Sequence, residues 1–269
     1  MTDVIIFTDL DGTLLDHESY GVRAALPTID LSIRRGFPII PVSSKTAAEI
    51  RRWVRLLTLD GPFICENGCG IVIPDGYFET LPAEAVRRDG EWRISLGVSI
   101  DKVRGALETL SEEAHFDYKS MNQMSTDEVS TLTGLTGVEL LNCLEREYDE
   151  PFIIKGDHEF DPIRRKSSEM GFHLTRGGRF YHLTGGCNKG EAVRKMVDMF
   201  RKYRTDPLFV AIGDSFNDLP MFGVVDMAYL VQKPDGNYDP LVPAEAARRV
   251  PGVGPCGWRI AVEEVMNLG

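Results

Sequence analysis

The amino-acid sequence predicts an α/β protein in which a parallel sheet wrapped by helices is interrupted by a smaller α+β domain. Three observations lead there. Strand-like and helix-like segments alternate up to Cys65, the middle of the chain changes to a mixed rhythm, and the alternation resumes at Lys189. Parallel strands need crossover connections, so a β-α-β-α-β order implies one parallel sheet.

Val4 to Thr8 is an apolar run that reads as a buried strand, followed by a helix over Val22 to Arg35, a strand over Phe37 to Val42 and a helix over Thr46 to Leu57. Ser43 and Ser44 stand where a helix N-cap is expected. Phe63 to Cys65 is a third short strand. "ENGCGIVIPDG" then reads as a hairpin and Trp92 to Val98 as another strand. Helices follow at Asp101 to Ala114, Thr126 to Leu132 and Val138 to Glu147, and strands at Pro151 to Lys155, Phe172 to Thr175 and Arg179 to Leu183. Strands and helices in separate runs point to an antiparallel, α+β insertion. Beyond it come a helix at Lys189 to Tyr203, a strand at Leu208 to Gly213, a short helix at Asn217 to Phe222, a strand at Asp226 to Gln232 and a last helix at Trp258 to Leu268. "QKPDGNYDPLVP" reads as an exposed loop. The division expected is a core over 1–78 and 187–269 with the insertion at 79–186.

With 269 residues the chain can build one large or two modest domains. Apolar content of 43% and charged content of 26% describe an ordinary globular protein, and no apolar run reaches a membrane-span length of ~18–20 residues. "MTDVIIF" lacks the features of a signal peptide, so a cytoplasmic address is expected, as a monomer or homodimer. The net charge of −11 argues against a nucleic-acid surface, which needs concentrated Lys and Arg, but leaves room for a small anionic substrate in a local cationic pocket. Five scattered cysteines without CxxC spacing are expected to be reduced packing residues.

"FTDLDGT" ends the first strand with Asp9 and Asp11, and "GDSFND" ends a later one with Asp214 and Asp218. In a parallel sheet both loops reach the carboxyl edge, where ligands bind. Carboxylates gathered there repel one another unless a cation compensates, and oxygen-only ligation with room for water suits Mg²⁺. Asp9, Asp214 and Asp218 are the candidate ligands, with Asp11 contributing its backbone carbonyl. One carboxylate can then stay ionised as a nucleophile while a neighbour carries a proton, which assigns attack to Asp9 and proton transfer to Asp11. Gly12 and Thr13 are expected to turn backbone N–H groups toward an anion. Phosphoryl transfer also needs donors and a fixed positive charge. Ser43 and Ser44 in "PVSSKT", Asn217, and Lys189 at a helix start in "GGCNKGEAV" supply them.

An isolated Asp-x-Asp-Gly describes many turns. Together with Ser43, Lys189 and "GDSFND", in this order and spacing, it resembles the four motifs of the haloacid dehalogenase superfamily of aspartate-nucleophile phosphatases. That resemblance implies a Rossmann-like core, Mg²⁺, an aspartyl-phosphate intermediate and an inserted cap, and an insertion beginning past "ENG" is similar to the α+β (C2-type) cap of the Cof-type subgroup. "SSKT", "MSTDEVSTLTGL", "REYDEPF", "RGGRFYH" and "GPCGW" resemble, more narrowly, the mannosyl-3-phosphoglycerate phosphatase family. Its implied substrate is a small phosphorylated glycosyl-glycerate bearing a phosphate, a carboxylate and a hexose. Alternatives are a glucosyl or other sugar phosphate, and a ligand-binding protein of the same fold without catalysis. Arg176, Arg179 and His182, with Lys155, are the cap groups expected to answer such a substrate, since Arg grips a carboxylate through paired hydrogen bonds. Gly177 and Gly178 would let the backbone turn closely around it. Glu66 and Asn67 either bind sugar hydroxyls or shape the junction.

Overall fold

The structure is a computed structural model and describes residues 3–176 and 179–267. In chain order the strands are β1 (Val4–Thr8), β2 (Ile39–Pro41), β3 (Phe63–Cys65), β4 (Gly70–Pro74), β5 (Val86–Arg88), β6 (Glu91–Ser95), β7 (Asp117–Ser120), β8 (Asp149–Lys155), β9 (Phe172–Arg176), β10 (Tyr181–Gly185), β11 (Leu208–Gly213), β12 (Met227–Gln232) and β13 (Arg248–Val253). The helices are α1 (Leu26–Arg34), α2 (Ala47–Leu56), α3 (Ile100–Glu113), α4 (Thr126–Thr133), α5 (Gly137–Leu144), α6 (Phe160–Glu169), α7 (Lys189–Phe200), α8 (Leu219–Phe222) and α9 (Pro255–Met266). Leu268, expected in the last helix, lies outside the described residues, as do Gly177 and Gly178.

Five parallel strands in the order β13-β12-β11-β1-β2 form the main sheet. Alternation along β1 serves both of its faces: Ile6 packs with Trp258 and Val262 of α9, and Ile5 and Phe7 with Val193 and Val197 of α7. Phe63–Cys65 begins a second, antiparallel sheet, β3-β4-β6-β5, joined to the first through a bridge between Val42 and Ile64. Strands β5 and β6 fall within the stretch expected to belong to the insertion. β6 pairs with β4 and β5 with β6, and Ile94 of β6 packs in the same cluster as Phe78, Met199 and Phe200, because its apolar partners lie on α7.

The inserted unit is an antiparallel sheet, β7-β8-β10-β9, with α3 and α6 on one face around Leu107, Phe152, Ile163 and Leu183. Four elements have no counterpart in the sequence reading, the exposed three-residue edge strand β5 among them. Strands β7 and β13 are edge strands, short and polar in the first case and interrupted by Pro251 in the second, which an edge tolerates. In α6, Pro162 obscures the pattern but sits in the first turn, where its missing N–H costs nothing. None of the described helices is long and apolar enough to cross a membrane.

Core and insertion meet at the segment after β3. Glu66 accepts the backbone N–H groups of Glu147, Tyr148 and Asp149 at 2.8–3.1 Å, and Asn67 Nδ2 donates to Asp149 Oδ2 at 3.0 Å. Both residues therefore shape the junction. Burial pushes the Glu66 carboxyl up to about 7, against the opposing pull of Arg146. At Gly68, φ is +99°, and a Cβ there would fall on the Asn188 carbonyl, so the loop closes against the start of α7 only with glycine.

The expectation of reduced cysteines fails for one pair. Cys69 and Cys187, 118 positions apart and with Cα atoms 5.2 Å from each other, form a disulfide beside this junction. No local spacing signals such a contact, which the fold alone creates. Cys65 and Cys143 are free and buried, and Cys256 is free and exposed. Cross-linking so long a loop restricts the unfolded chain, and its loss costs about 2–4 kcal/mol. Under denaturing conditions three thiols are expected to titrate before reduction and five after. Reduction should lower the melting temperature by roughly 5–10 °C; five thiols without reductant would exclude the bond.

Candidate active site

Thr8 of β1 lies opposite Ile212 of β11, so the parallel register delivers Asp9 and Asp214 to one sheet edge. Asp218 joins them from the 3₁₀ turn Phe216–Asp218, and the three buried side chains each offer an oxygen within 4.8 Å of the others. Lys189, the first residue of α7, is fully buried between two of them. Its Nζ lies 2.7 Å from Asp9 Oδ1 and 2.6 Å from Asp218 Oδ1. Asn188 caps that helix by accepting the Glu191 N–H.

Burial pushes Asp9 well above the usual carboxylate range; Lys189 opposes this and the charges of Asp218 and Asp214 add to it. Asp214 is raised for the same first reason, against Lys233, whose Nζ is 2.9 Å from Asp214 Oδ2. Burial works against the Lys189 charge too, but Asp218 and Asp9 outweigh it and raise its pKa. The cluster is thus short of positive charge, and its all-oxygen donor set fits a hard divalent cation. Asp218 is the most committed of the three: Oδ1 takes Lys189 while Oδ2 accepts the N–H groups of Asp214 at 3.0 Å and Ser215 at 3.1 Å. It orients the lysine and the loop that carries Asp214.

Asp11 stands apart from the cluster. Its Oδ2 pairs with Lys45 Nζ at 3.0 Å, while Oδ1 is buried without a partner among the described residues. Gly12, at φ +80°, passes so close to Asp214 that a Cβ would lie 3.0 Å from Oδ2. The N–H groups of Gly12 and Thr13 do not face an anion as expected: they donate to Leu15 O at 2.9 Å and Leu10 O at 3.2 Å, because the reversal after β1 closes on itself. Thr13 is fully buried, its Oγ1 unpaired among the described residues.

Ser43 is buried as well, its Oγ accepting the Lys45 N–H at 3.3 Å. Capping of α2 falls to Thr46 and Glu49 rather than to either serine, since Thr46 Oγ1 is the oxygen aligned with the Glu49 N–H. Ser44 and Asn217 line a cavity of about 370 Å³ that runs from Asp9, Asp11 and Asp214 to Arg176, Arg179 and His182 of the insertion. Arg179 Nη1 donates to Thr133 O at 3.0 Å, and the Arg176 guanidinium lies 5.6 Å from the Tyr181 ring centre. Lys155 is exposed at the far end of β8, opposite Asp117, and does not line the cavity.

Lys45, Arg146, Lys233 and Asp149 went unassigned in the sequence, although all but Lys233 lie in "SSKT" and "REYDEPF". Arg146 crosses from the insertion to the core, with Nη1 2.7 Å from Ser44 O and Nη2 3.8 Å from Glu49. Each of these pairings joins distant segments, so residue type and spacing carry no sign of it.

Residues 6–93 match the family of haloacid dehalogenase-like hydrolases. A protein of Methanococcoides burtonii named glucosyl-3-phosphoglycerate/mannosyl-3-phosphoglycerate phosphatase is 38% identical over 98% of this chain and 97% of its own length. A mannosyl-3-phosphoglycerate phosphatase of Pyrococcus furiosus is 35% identical over 84% of this chain and 90% of its own. Among solved structures, one from Thermoplasma acidophilum superposes with a TM-score of 0.68 at 18% identity, covering 100% of this chain and 98% of that one. A phosphatase of the haloalkanoate superfamily from Bacteroides thetaiotaomicron gives 0.68 at 17% identity, covering 98% and 95%. The last two establish the fold, and with the first three they place the sequence: the chain belongs to the haloacid dehalogenase-like hydrolases, in the family of these glycosyl-3-phosphoglycerate phosphatases.

Proposed function

We propose that the chain is a cytoplasmic, Mg²⁺-dependent phosphatase that hydrolyses mannosyl- and glucosyl-3-phosphoglycerate through an aspartyl phosphate. The observation that carries this reading is a cavity lined at one end by Asp11 and by Asp9, which Lys189 holds at 2.7 Å, and at the other by Arg176 and Arg179. The two relatives, matched over 98% and 84% of this chain, support the substrate class.

Asp9 attacks phosphorus, and Asp11 protonates the departing glycerate oxygen. Asp11 then takes a proton from the water that cleaves the aspartyl phosphate. Lys189 offsets the charge gathering on Asp9 and the phosphoryl oxygens, in a site dry enough for that charge to count. Asp9 and Asp214, with the Asp11 carbonyl, would hold Mg²⁺, which supplies the remaining neutralisation. Arg176 and Arg179 bind the carboxylate end. The cap we propose runs from Val98 to Gly185, the two points where the chain crosses between packed units.

Phosphate release from the two glycosyl-3-phosphoglycerates, measured beside simple hexose phosphates, should be at least about a hundredfold faster in kcat/KM, since the arginine end of the cavity then contributes its binding. A chelator should abolish it and Mg²⁺ restore it. Equal, poor rates on every compound would refute the substrate assignment.

A further inference from the structure

His182 is the one expected cap residue with a built support. On β10 the alternation of side chains sends Tyr181 and Leu183 into the cluster under α3 and α6, and His182 to the opposite face, where it lines the cavity. Its Nδ1 lies 2.8 Å from Asp149 Oδ2 and 3.1 Å from Oδ1. Asp149 is completely buried, and its Oδ2 also receives Asn67 Nδ2 at 3.0 Å and faces Arg146 Nη1 at 3.5 Å. Asn67 Oδ1 in turn lies 3.5 Å from Asn217 Nδ2, on the loop that carries Asp214. A continuous polar chain therefore runs from the phosphate end of the core to one imidazole in the cap.

That chain sets the tautomer of the neutral imidazole. A carboxylate accepts only, so Nδ1 carries the proton between them, and Nε2 is left without a protein partner among the described residues. Nearby, the Glu49 carboxylate already accepts the Thr46 N–H at 2.9 Å and faces Lys45 and Arg146 at 3.8 Å, while Arg146, Arg176 and Arg179 offer donors only. The arginines satisfy a phosphate or a carboxylate. A sugar hydroxyl must also donate, and buried without an acceptor it forfeits a hydrogen bond.

We propose that His182 is a specificity-determining residue whose Nε2 accepts a hydrogen bond from a hydroxyl of the glycosyl group, and that Asp149 is the positioning residue that fixes its ring. The inference rests on the substrate class proposed above. It deepens that reading by naming the group that distinguishes a glycosylated substrate from a bare phosphate ester.

The test compares wild type, His182→Ala, His182→Phe and Asp149→Asn on the two glycosyl-3-phosphoglycerates and on p-nitrophenyl phosphate, which has no sugar. The His182 variants should lose about ten- to a hundredfold in kcat/KM on the glycosyl substrates, the effect of leaving one buried hydroxyl unpaired. On p-nitrophenyl phosphate they should stay within about twofold of wild type, a split that a general loss of structure does not produce. Asp149→Asn should show the same split more weakly. Should that variant fail to fold, the His182 pair still decides. A substrate analogue lacking the contacted hydroxyl should be turned over equally by wild type and His182→Ala. Equal losses on every substrate, or no loss on any, would overturn the proposal. If wild type ignores both glycosyl-3-phosphoglycerates, the substrate reading falls on its own. The same variants are then judged on the hexose phosphate that wild type prefers, where an unchanged rate overturns the role of His182.

Discussion

Asp9→Asn is expected to abolish phosphatase turnover, lowering kcat by at least about 10⁴-fold, the scale on which removal of a covalent nucleophile acts. The amide has the same shape and still offers an oxygen to Lys189, whose other partner, Asp218 at 2.6 Å, is untouched. Folding should therefore survive, with a melting temperature within a few degrees of wild type. The same variant carries a pH signature in the metal-free protein. Burial raises the Asp9 pKa above 3.8, so the carboxyl's contribution to stability is present below that value and is lost as pH rises through the folded-state pKa. Wild type in chelator should accordingly lose stability on going from about pH 4 toward neutrality more steeply than Asp9→Asn. Rapid-quench detection of a phosphoenzyme in wild type and its absence in the variant complete the test. Residual turnover above about one per cent would remove Asp9 from the nucleophile's role.

Lys189→Met is expected to strike both catalysis and stability, which separates it from the first variant. The lysine is 1% exposed and holds Asp9 and Asp218 at hydrogen-bond distance, so its removal leaves two buried carboxylates facing Asp214 without a protein cation between them. Breaking a buried pair from one side costs about 3–5 kcal/mol. The lost neutralisation should lower kcat about 10²–10³-fold, as removal of one preorganised charge-stabilising donor does. Urea unfolding and steady-state kinetics measure the two effects. Added Mg²⁺ should recover part of the stability and little of the rate, because a divalent cation answers the carboxylate charge but does not restore the Nζ–Asp9 hydrogen bond. Stability equal to wild type in chelator would show that the carboxylates do not depend on this lysine.

The groups that do the proposed chemistry were legible because each sits in a short stretch whose local form implies its place. An apolar strand ending in Asp9-x-Asp11-Gly12, another ending in Gly213-Asp214, and a helix opening on Lys189 need only the rule that parallel strands share a ligand-bearing edge. The register of β1 on β11 then did the rest. Ser43 illustrates the limit of that reasoning, since spacing names it but only the fold shows it buried with its Oγ accepting the Lys45 N–H. Lys155 shows the same limit in the cap: "FIIKGD" gave it a suitable charge, yet strand alternation and the position of β7 leave it exposed.

From the order of its residues alone, this chain determined its α/β core, the inserted antiparallel unit and the acidic and basic groups at the sheet edge, because strand period, helix starts and turn chemistry are local properties. Tertiary structure alone decided how the two units grip each other. Glu66 met the backbone of residues 147–149, Arg146 met Ser44, and Cys69 met Cys187. It also decided that a buried carboxylate from β8, Asp149, would aim the imidazole of β10 into the cavity. Those partners are 33 to 118 positions apart. A contact of that kind is set by the packing of whole elements, and it exists only once the chain has paid the entropy of bringing them together.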